Sequence, residues 1–564
     1  MSHEPTARSL PLAGRTVFRR RNLLKGAVAA GALAASGAGG LVIANAQTES
    51  GEAGAQAIGH PGMVHTQADF DRMKAKVDAG AQPWKQGWDK LVANAHSQST
   101  WTPQPVEEIV RGSTDKPQNY WLLYNDAHAA YQNALRWRIS GSTAHRDAAV
   151  RICNAWSGTL KSIYWPPSDS RLASGIYGYQ FANAGELVRG APGFDLGRFQ
   201  QMMKTVFYEL NSDFLVRHNG TCQTHYWANW DLCNMASILA IGILCDDQAK
   251  INEAVDYFRN GAGAGSINNA IPFVYGDVGL AQWQESGRDQ AHSIMGIGLM
   301  GTFMEMAWSQ GIDLYSARDN AFAKAAEYVA RYNLGYDVPF TTYRNCDGIE
   351  HTVVSEGGRG QIRPVWELIY NHYSARKGMR MPYTARMAAL ARPEGGGGDY
   401  GGNSGGFDAL GWGTLAHMRS TPAVVSGATY YLMCERSGKF LENGRSTVDG
   451  RPVIQWGENG FTQQRWKITD VGSGHYKLVC EHSGKALDNG NSTAEGAQVK
   501  QWTDNGGATQ RWRITDAGGG AVVLTCERSG MALDNGNKEA DGEPAIQWRV
   551  NTGVPQRWRL IRAT

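Results

Sequence analysis

The sequence of 564 residues lacks three features that would point to other classes of protein. Lys and Arg number 55 against 52 Asp and Glu, a formal net charge of +3, so no overall field attracts nucleic acid. Beyond the N-terminal end, no segment approaches the roughly 20 apolar residues that a membrane span needs. None of the eight cysteines lies in a C-x-x-C pair with partner histidines. We therefore expect no nucleic acid partner, no membrane attachment of the mature protein, no metal and no cofactor.

The longest apolar stretch and the scattered cysteines have modest interpretations. LCNMASILAIGILC, Leu232 to Cys245, comes nearest to a membrane span but is better interpreted as a buried core helix. The cysteine spacing argues against a dense disulfide framework. If the protein is exported, disulfides are permitted, and a local bridge between Cys222 and Cys233 is then possible.

The first residues are typical of an export signal. Arg20 and Arg21 form a twin-arginine pair, a weakly apolar Gly/Ala-rich run follows, and Ala44 and Ala46 supply a small-residue cleavage pattern. Twin-arginine export indicates a bacterial or archaeal protein that is secreted after folding. We expect residues 1–46 to be this signal and the mature protein to be secreted; the alternative is a basic leader with no such role.

An internal repeat dominates the C-terminal part. Cys434, Cys480 and Cys526 are 46 residues apart, and the same step relates three tryptophans, Trp466, Trp512 and Trp558. Each unit is a set of short strands broken by Gly/Asn/Asp turns. A unit of this size cannot bury its apolar face alone, so three units are expected to share one core. We predict that these tryptophans lie in that core and that the cysteines are free packing thiols.

The three copies, each ending in Q-R-W, closely resemble the ricin B-type lectin β-trefoil over roughly residues 426–564. The resemblance implies an all-β domain in which an acid after an SG-x-x-L turn and an aromatic platform can hold a sugar. It implies sugar contact for two acids and two tryptophans: Asp488, Trp502, Asp534 and Trp548. A carboxylate accepts hydrogen bonds from vicinal hydroxyls while the ring stacks on the apolar sugar face. The first unit departs from this pattern, with Glu442 beside Trp456.

Residues 47–418 are predicted to be mainly α-helical. HTQADFDRMKAKVDAG offers Thr66 as an N-cap with Asp69 three residues later, an apolar face and Gly80 as a stop. Several amphipathic helices in succession without a heptad favour an α/α toroid, followed by the all-β trefoil. The stretch RPEGGGGDYGGNSGGFDALGWGTL is not helical. It is either a set of ordered loops closing over a site or a flexible linker.

Three polar stretches of the helical part concentrate side chains suited to catalysis. THYWANWDLCNMA contains His225, Tyr226 and Asn229, with Asp231 able to cap the apolar helix that follows. QESGRDQAHS contains Arg288 and His292, four residues apart. The third stretch, RNCDGIEHTVVSEGGRGQIRPVWELIYNHY, adds further arginines. Taken singly, each has a plain structural interpretation, such as an ion pair of Arg288 with Glu285 or Asp289.

Taken together, these residues are what β-elimination of an acidic polysaccharide requires. A uronate carboxylate must be neutralised by Arg or Asn so that the adjacent ring proton becomes acidic. His or Tyr then removes that proton, and Tyr or His protonates the departing glycosidic oxygen. These residues in an exported helical toroid that carries a lectin therefore favour a polysaccharide lyase.

The same stretches resemble bacterial alginate lyase-like polysaccharide lyases with an α/α-toroid fold, over most of residues 60–418. The resemblance implies cleavage of a uronate glycan of the alginate or glucuronan type. It implies that Asn229 and Arg288 neutralise the carboxylate and that His225 or His292 is the base. The catalytic tyrosine is left open among Tyr226, Tyr343 and Tyr400, with a slight preference for Tyr226. Further substrate contacts are expected from four residues: Glu285, Arg359, Arg363 and Tyr400.

Two other functions fit parts of the sequence. A glycoside hydrolase on the same toroid would need two carboxylates facing across a cleft, available from five acids: Glu285, Asp289, Glu356, Glu394 and Asp399. A non-catalytic glycan-binding protein would need only the trefoil. Our expectation is a secreted monomer whose trefoil binds a glycan while the toroid cleaves an acidic polysaccharide.

Overall fold

We describe a computed structural model covering residues 57–397, 407–421, 423–551 and 553–563. Residues Ala57–Thr564 form one compact unit. Tyr400 and Asp399, expected near a site, and the proposed export signal lie outside the described residues. None of the described helices is long and apolar enough to cross a membrane.

The N-terminal domain is helical, as the sequence predicts. Its α-helices within the described residues are α1 Gln67–Asp78, α2 Trp84–Ala93, α3 Trp121–Ser140, α4 Thr143–Thr159, α5 Asp169–Leu187, α6 Leu196–Met202, α7 Glu209–Arg217, α8 Ala228–Leu244, α9 Gln248–Asn260, α10 Ile267–Ala270, α11 Gln290–Ser309, α12 Ala317–Asn333, α13 Trp366–Asn371, α14 Pro382–Ala391 and α15 Gly413–Ala416. Short strand pairs lie between them: β1 Glu108–Ile109 with β2 Ser162–Ile163, β3 Phe273–Tyr275 with β4 Leu280–Gln282, and β5 Tyr343–Arg344 with β6 Glu350–His351.

Helix boundaries follow local capping chemistry, with one exception to the prediction. Thr66 and Asp69 form a reciprocal capping box at the start of α1. Helix α8 is buried over almost its whole length, which confirms the predicted core helix. However, α8 begins at Ala228, so Asp231 lies in its first turn and does not cap it. The Asp231 carboxylate instead accepts hydrogen bonds from the Gly265 backbone N–H (2.7 Å) and contacts His218 Nε2 at 3.1 Å.

Five long or central helices form an inner row of the helical domain. α3 packs on α5, α5 on α8, α8 on α11 and α11 on α13, while α4, α9, α12 and α14 lie outside them. Two glycines of α5 lie close to α8: Gly175 against Cys233 and, one turn later, Gly178 against Ser237. The contacts thus run in the same direction along both helices. α5 and α8 are therefore parallel. The row closes through α15 and α1, in agreement with the predicted α/α toroid.

The C-terminal domain is a twelve-stranded β structure built from three equal units. Its strands are β7 Ala428–Cys434, β8 Phe440–Glu442, β9 Ile454–Trp456, β10 Trp466–Gly472, β11 His475–Cys480, β12 Ala486–Asp488, β13 Lys500–Trp502, β14 Trp512–Gly518, β15 Ala521–Cys526, β16 Ala532–Asp534, β17 Ile546–Trp548 and β18 Trp558–Arg562. β7, β10, β11, β14, β15 and β18 pair in a closed ring, because β18 returns to β7. The remaining strands form one hairpin per unit.

The shared core of the β domain matches the prediction. Trp466, Trp512 and Trp558 are fully buried, and each indole N–H donates to the leucine carbonyl at the start of its unit's hairpin, at 2.9–3.0 Å. The cysteines of the three units are buried and free. The repeat is thus preserved down to individual hydrogen bonds.

The two domains are joined by buried charges. Glu435 of the trefoil is fully buried and accepts hydrogen bonds from Arg557 Nε (2.5 Å) and from the hydroxyl of Tyr370 in α13 (3.0 Å). Arg392, just after α14, lies 3.8 Å from the same carboxylate and pairs with Glu367 at 2.6 Å. Burial alone would raise the pKa of Glu435, but the neighbouring arginines hold it below its usual range. The trefoil is therefore docked on the helical domain.

Candidate active site

Helix starts gather at one end of the helical domain. The segments before α5, α8, α11 and α13 carry most of the polar residues selected from the sequence. The glycine contacts advance together along α5 and α8 and along α11 and α13, and the start of α8 bonds the segment before α11. These N-termini therefore lie on the same side, where the helix dipoles favour anions. Several of their first N–H groups already donate to Glu285, Asp289 and Glu394. This end of the toroid is therefore suited to a negatively charged ligand.

A fully buried carboxylate organises the centre of this end. Glu285 accepts hydrogen bonds from the backbone N–H of Asn229 (2.8 Å) and from its side-chain amide (3.0 Å), and Arg288 Nη1 donates to it at 3.1 Å. Burial raises the pKa of Glu285, opposed by the charge of Arg288. Because Glu285 is inaccessible, it positions its neighbours and does not itself contact substrate, contrary to the expectation.

Asn229 also differs from its expected position. It is only 2% exposed, and its amide is directed at Glu285 and not at the open side of the cleft. The backbone reason is that α8 starts at Ala228, which places Asn229 in the first, inward-facing turn. Asn229 therefore supports the carboxylate that holds Arg288.

Arg288 is the partly exposed group of this cluster. Its guanidinium lies 5.3 Å from the centre of the Trp227 ring, and its Nη2 is 3.2 Å from His292 Nε2. His292 Nδ1 is 2.6 Å from Asp289. A guanidinium can only donate, so His292 accepts at Nε2 and donates its Nδ1–H to Asp289. Its lone pair is occupied by Arg288, and His292 therefore fixes the arginine.

The Asp289 carboxylate completes this chain of contacts. It also caps α11, because its oxygen accepts from the backbone N–H of His292 at 2.7 Å. Burial alone would raise the pKa of Asp289, but the hydrogen bonds from His292 and the charge of Arg288 hold it below its usual range. Asp289, His292 and Arg288 thus form one preorganised unit at the start of α11.

His225 and Tyr226 lie at the neighbouring helix start. His225 is exposed and its Nδ1 is 2.8 Å from Asp347. The Tyr226 hydroxyl accepts a hydrogen bond from the Asn219 amide at 2.9 Å, which leaves its own proton available for donation. The two rings contact each other edge to face at 4.8 Å. This pair offers one proton acceptor and one proton donor on the open side.

The loop between α12 and α13 covers the same region. A disulfide joins Cys346 of this loop to Cys222, which corrects the expected Cys222–Cys233 bridge. Cys233 is instead buried on α8 against Gly175. His351 packs edge to face on Trp227 at 5.3 Å. The loop therefore connects the His225 segment to the Arg288 segment.

Tyr343, an alternative catalytic tyrosine, is nearly buried in this loop. Its hydroxyl accepts from Gln284 Nε2 at 2.9 Å, and burial raises its pKa. Gln284 also accepts from the backbone N–H of Ala228. Compared with Tyr226, Tyr343 is less accessible to a bound glycan.

The remaining predicted substrate contacts separate into two positions. Arg363, at the start of α13, is buried and bonds Asp408 at 2.8 Å; the pKa of Asp408 is raised by burial, against the charges of Arg363 and Arg111. Arg359 is directed elsewhere. Its Nε donates to the Tyr332 carbonyl near the end of α12 at 2.9 Å, so we exclude it from the site.

Two groups near the site were not predicted. Asp347 contacts His225, and Arg111 bonds the Tyr177 hydroxyl at 3.0 Å while lying 5.1 Å from the centre of the Tyr120 ring. Asp347 is 122 residues from His225 in sequence, and Arg111 precedes α3 in a segment without periodicity. The sequence offered no local signal for either.

Within the described part of the chain, the candidate site holds no group of free metal ligands. Among the described residues, the grouping of possible metal ligands is Cys222, Cys346 and Asp347, and the two sulfurs are bonded to each other and so do not act as thiolates. A cleft of about 660 Å³ lies between the two domains. None of the candidate catalytic residues lines it.

The predicted sugar-binding residues of the trefoil share one face of each hairpin. Ala486 lies opposite Trp502, and Asp488 is two residues further along β12, so Asp488 and Trp502 point to the same side. Trp502 is 42% exposed. The Asp488 carboxylate accepts from the Gly490 N–H at 2.7 Å and from Thr509 Oγ1 at 2.9 Å.

The third unit repeats this geometry, and the first has the same strand register but Glu442 in place of the aspartate. Asp534 and the exposed Trp548 occupy the equivalent places. In the first unit Glu442, longer by one methylene, accepts hydrogen bonds from the amides of Asn459 (2.8 Å) and Gln464 (2.9 Å). One oxygen of this carboxylate is therefore already occupied within the domain.

Comparisons with known proteins agree with both halves of this description. The alginate lyase family model matches residues 73–338, and the ricin-type β-trefoil lectin domain-like model matches residues 421–502, 462–548 and 508–564. No curated protein matches the chain. The helical domain is thus related to a family of polysaccharide lyases and the β domain to a family of lectins.

Solved structures match the β domain. A designed threefold-symmetric protein, ThreeFoil, is 43% identical over 24% of this chain and 97% of its own, with a TM-score of 0.23. An exo-β-1,3-galactanase from Clostridium thermocellum is 27% identical over 30% of this chain and 42% of its own, with a TM-score of 0.24. A ricin B-like lectin from Macrolepiota procera, solved with lactose, is 22% identical over 25% and 100%, with a TM-score of 0.23.

The alginate lyase family model thus covers most of the helical domain, and the ricin-type β-trefoil lectin model covers the β domain.

Proposed function

We propose that the protein is a secreted polysaccharide lyase that cleaves a uronate glycan of the alginate or glucuronan type by β-elimination. The observation that carries the proposal is the partly exposed Arg288, held by the buried Glu285 and by His292, at the same end as His225 and Tyr226. This arrangement pairs a fixed cation with a proton acceptor and a proton donor.

Each group has one role in the proposed reaction. Arg288 neutralises the uronate carboxylate, which makes the adjacent C5 proton acidic. His225 Nε2 accepts that proton while electrons form the C4–C5 double bond and the C4–O bond breaks. The Tyr226 hydroxyl gives its proton to the departing oxygen. One chain end is then an unsaturated uronate and the other a free hydroxyl.

Supporting roles follow from position. His292, Asp289 and Glu285 hold Arg288, and Asn229 holds Glu285. Arg363 at the start of α13 and the converging helix N-termini add positive potential for neighbouring uronates. Tyr400 remains an expected substrate contact on the basis of sequence alone.

Three of the five acids considered for a glycoside hydrolase are unsuited to hydrolysis. A glycoside hydrolase needs two accessible acids facing each other across the scissile bond. Glu285 and Glu394 are both buried, and Asp289 is engaged by His292 and Arg288. Among these three, none is placed to protonate a glycosidic oxygen.

The trefoil and the leader complete the proposal. Exposed Trp502 and Trp548 beside Asp488 and Asp534 support binding of a glycan by the second and third units. Arg20 and Arg21 support secretion by the twin-arginine route, and we propose that the mature protein acts as a monomer.

The test is a substrate screen with the purified full-length protein. Alginate, glucuronan, hyaluronan and pectin are incubated separately, and the ultraviolet absorbance of the unsaturated product is recorded. We expect absorbance to rise with a polymer of the first two. New reducing ends without ultraviolet absorbance would indicate a hydrolase, and no product from any polymer would contradict catalysis.

A further inference from the structure

The Cys222–Cys346 disulfide lies directly beside the proposed base. Cys222 is three residues before His225, and Cys346 is next to Asp347, whose carboxylate contacts His225 Nδ1 at 2.8 Å. The Cys346 backbone N–H also donates to Thr224 Oγ1 at 2.9 Å. Covalent and hydrogen-bonded links thus join the same two segments within a few residues.

The turn that carries Asp347 is braced on its own side. Asn345 accepts hydrogen bonds from the backbone N–H groups of Asp347 (3.0 Å) and Ile349 (2.9 Å), and its amide donates to the Asp347 carboxylate at 3.2 Å. The turn joins β5 to β6, which also place Tyr343 and His351 over the site. The turn is ordered by its own hydrogen bonds, but its position relative to His225 depends on contacts with residues 222–225.

We propose that the Cys222–Cys346 disulfide is a clasp that aligns Asp347 with His225, making Asp347 a positioning residue for the proposed base. This inference rests on the lyase function proposed above. The clasp is the disulfide together with the Asp347–His225 contact.

Magnitudes explain why a covalent tie is needed. The Asp347 and His225 side chains are 35% and 42% exposed, and a pair this exposed is weak because water screens the charges and ordering both side chains costs entropy. Such a pair alone would leave the imidazole free to rotate. The disulfide closes a loop across 124 residues and holds the carboxylate beside the ring, so that the contact forms without the entropic cost of ordering the turn.

The chemical effect is on the tautomer and orientation of His225. When Nδ1–H donates to Asp347, the lone pair resides on Nε2, which can then face the substrate proton. Opening the disulfide releases Asp347 and removes this preference. The proposed base is therefore prepared for catalysis only in the oxidised protein.

The first test compares oxidised and thiol-reduced protein in steady-state kinetics. We expect reduction to lower kcat by about tenfold or more, since a misaligned general base loses part of a 10²–10⁴-fold contribution, with little change in KM, and reoxidation to restore it. Asp347→Ala should have the same low kcat as the reduced enzyme. Asp347→Asn should retain more activity, because its amide oxygen still accepts the Nδ1–H.

Two cysteine variants serve as matched controls. Cys346→Ser should have low kcat and no response to reductant. Cys245→Ser, which removes a free thiol at the end of α8, should keep both the wild-type kcat and the response. Thermal melting of each form identifies losses that come from unfolding. Unchanged kcat in folded, reduced enzyme and in Asp347→Ala would overturn the clasp.

A readout independent of turnover separates this inference from the proposed function. If no uronate polymer is cleaved, the lyase proposal fails, and nitrogen NMR of the His225 ring still tests the clasp. We expect the Nδ1–H form in oxidised protein and a mixture in reduced protein and in Asp347→Ala. Identical ring spectra in all three would refute it.

Discussion

The helical domain and the trefoil build their sites in opposite ways. A trefoil site comes from one hairpin: Asp488 and Trp502 are 14 residues apart in sequence and lie on adjacent strands. The proposed catalytic site joins His225, Arg288 and Asp347, which come from separate helix starts and a loop. A local site is repeated with its fold unit, whereas a dispersed site depends on the packing of the whole domain.

The interiors of the helical domain and the trefoil also differ. The trefoil core is apolar around Trp466, Trp512 and Trp558, with free thiols between them, and the buried acids of this domain, such as Glu435, lie outside that core. The helical domain buries ionisable side chains, among them Glu285, Glu305 and His128. Catalysis and glycan binding should therefore respond separately to mutation and to pH.

The largest expected effect is the loss of catalysis without loss of binding. Arg288→Ala should lower kcat by about 100- to 1,000-fold, because charge stabilisation in the transition state is removed. Arg288→Lys keeps the positive charge beside Glu285 but lacks the two-pronged guanidinium. Its kcat should lie between those of the wild type and Arg288→Ala. Ultraviolet assays measure turnover, and affinity for an immobilised glycan measures the trefoil.

The matched control for Arg288 is Arg359→Ala. Arg359 lies near the α11 start but bonds carbonyls at the end of α12. We expect its turnover to stay near that of the wild type. Equal losses in the two variants would assign the effect to general destabilisation.

The second effect concerns the connection between the domains. Glu435→Ala leaves Arg557 and Arg392 buried without their shared carboxylate, which should cost about 3–5 kcal/mol and separate the unfolding of the two domains into distinct steps. Calorimetry of the full-length protein measures this. Glu527→Ala, which removes an exposed pair with Arg511, should leave the profile unchanged.

The third effect is selective acid destabilisation of the helical domain. Burial lowers the pKa of His65 to about 4 and the pKa values of His128 and His417 to about 3, from an ordinary 6.5. Because the folded pKa lies below the unfolded one, the stabilisation is present above pH 6.5 and is lost as pH falls towards 3–4. Each shift corresponds to on the order of 3 kcal/mol.

One carboxyl acts against this trend. Burial raises the pKa of Glu327 to about 7 from 4.5, so its contribution to stability falls as pH rises between those values. Hydrogen exchange on the full-length protein between pH 7 and 4 should show the helical domain opening first. Earlier opening of the trefoil, whose His475 and His482 reach solvent, would contradict the comparison.

The smallest effect distinguishes the units of the trefoil. Trp502→Ala should weaken glycan binding by about tenfold, since stacking on an aromatic ring is worth about 0.5–1.5 kcal/mol. Trp456→Ala should change affinity less, because the longer Glu442 replaces the aspartate that lies beside the ring in the other two units. Glycan-array or calorimetric titration provides the measurement, and a larger loss for Trp456 would reverse this assignment.

Sequence patterns predicted what is local or periodic. The 46-residue repeat predicted three units that share one core, an amphipathic pattern located α1, and an apolar run located α8. Arg288 and His292 were selected correctly as neighbours from their spacing of four residues, although Arg288 lies just before α11 and not within it. Whether His292 assists proton transfer or fixes Arg288 was not decided, since it depends on the Asp289 contact.

What escaped prediction depends on long-range packing. Because α8 starts at Ala228, Asn229 faces inward and Asp231 contacts His218. No nearby residue in the sequence indicates that the helix begins there. Cys346 and Asp347 lie in a loop more than 120 residues from Cys222 and His225. The sequence therefore predicted neither the disulfide nor the His225–Asp347 contact. Such partners are fixed by tertiary structure, which residue spacing does not encode.

The docked trefoil has one further consequence. A binding module on a flexible linker would leave the catalytic domain free to reach glycosidic bonds at many distances from the bound sugar. Here Glu435, Arg557 and Arg392 hold the lectin in place, so the distance from a given sugar pocket to the proposed catalytic cleft is constant. If one glycan chain occupies both places, this constant distance sets the smallest number of sugar residues between the bound sugar and the bond that is cut.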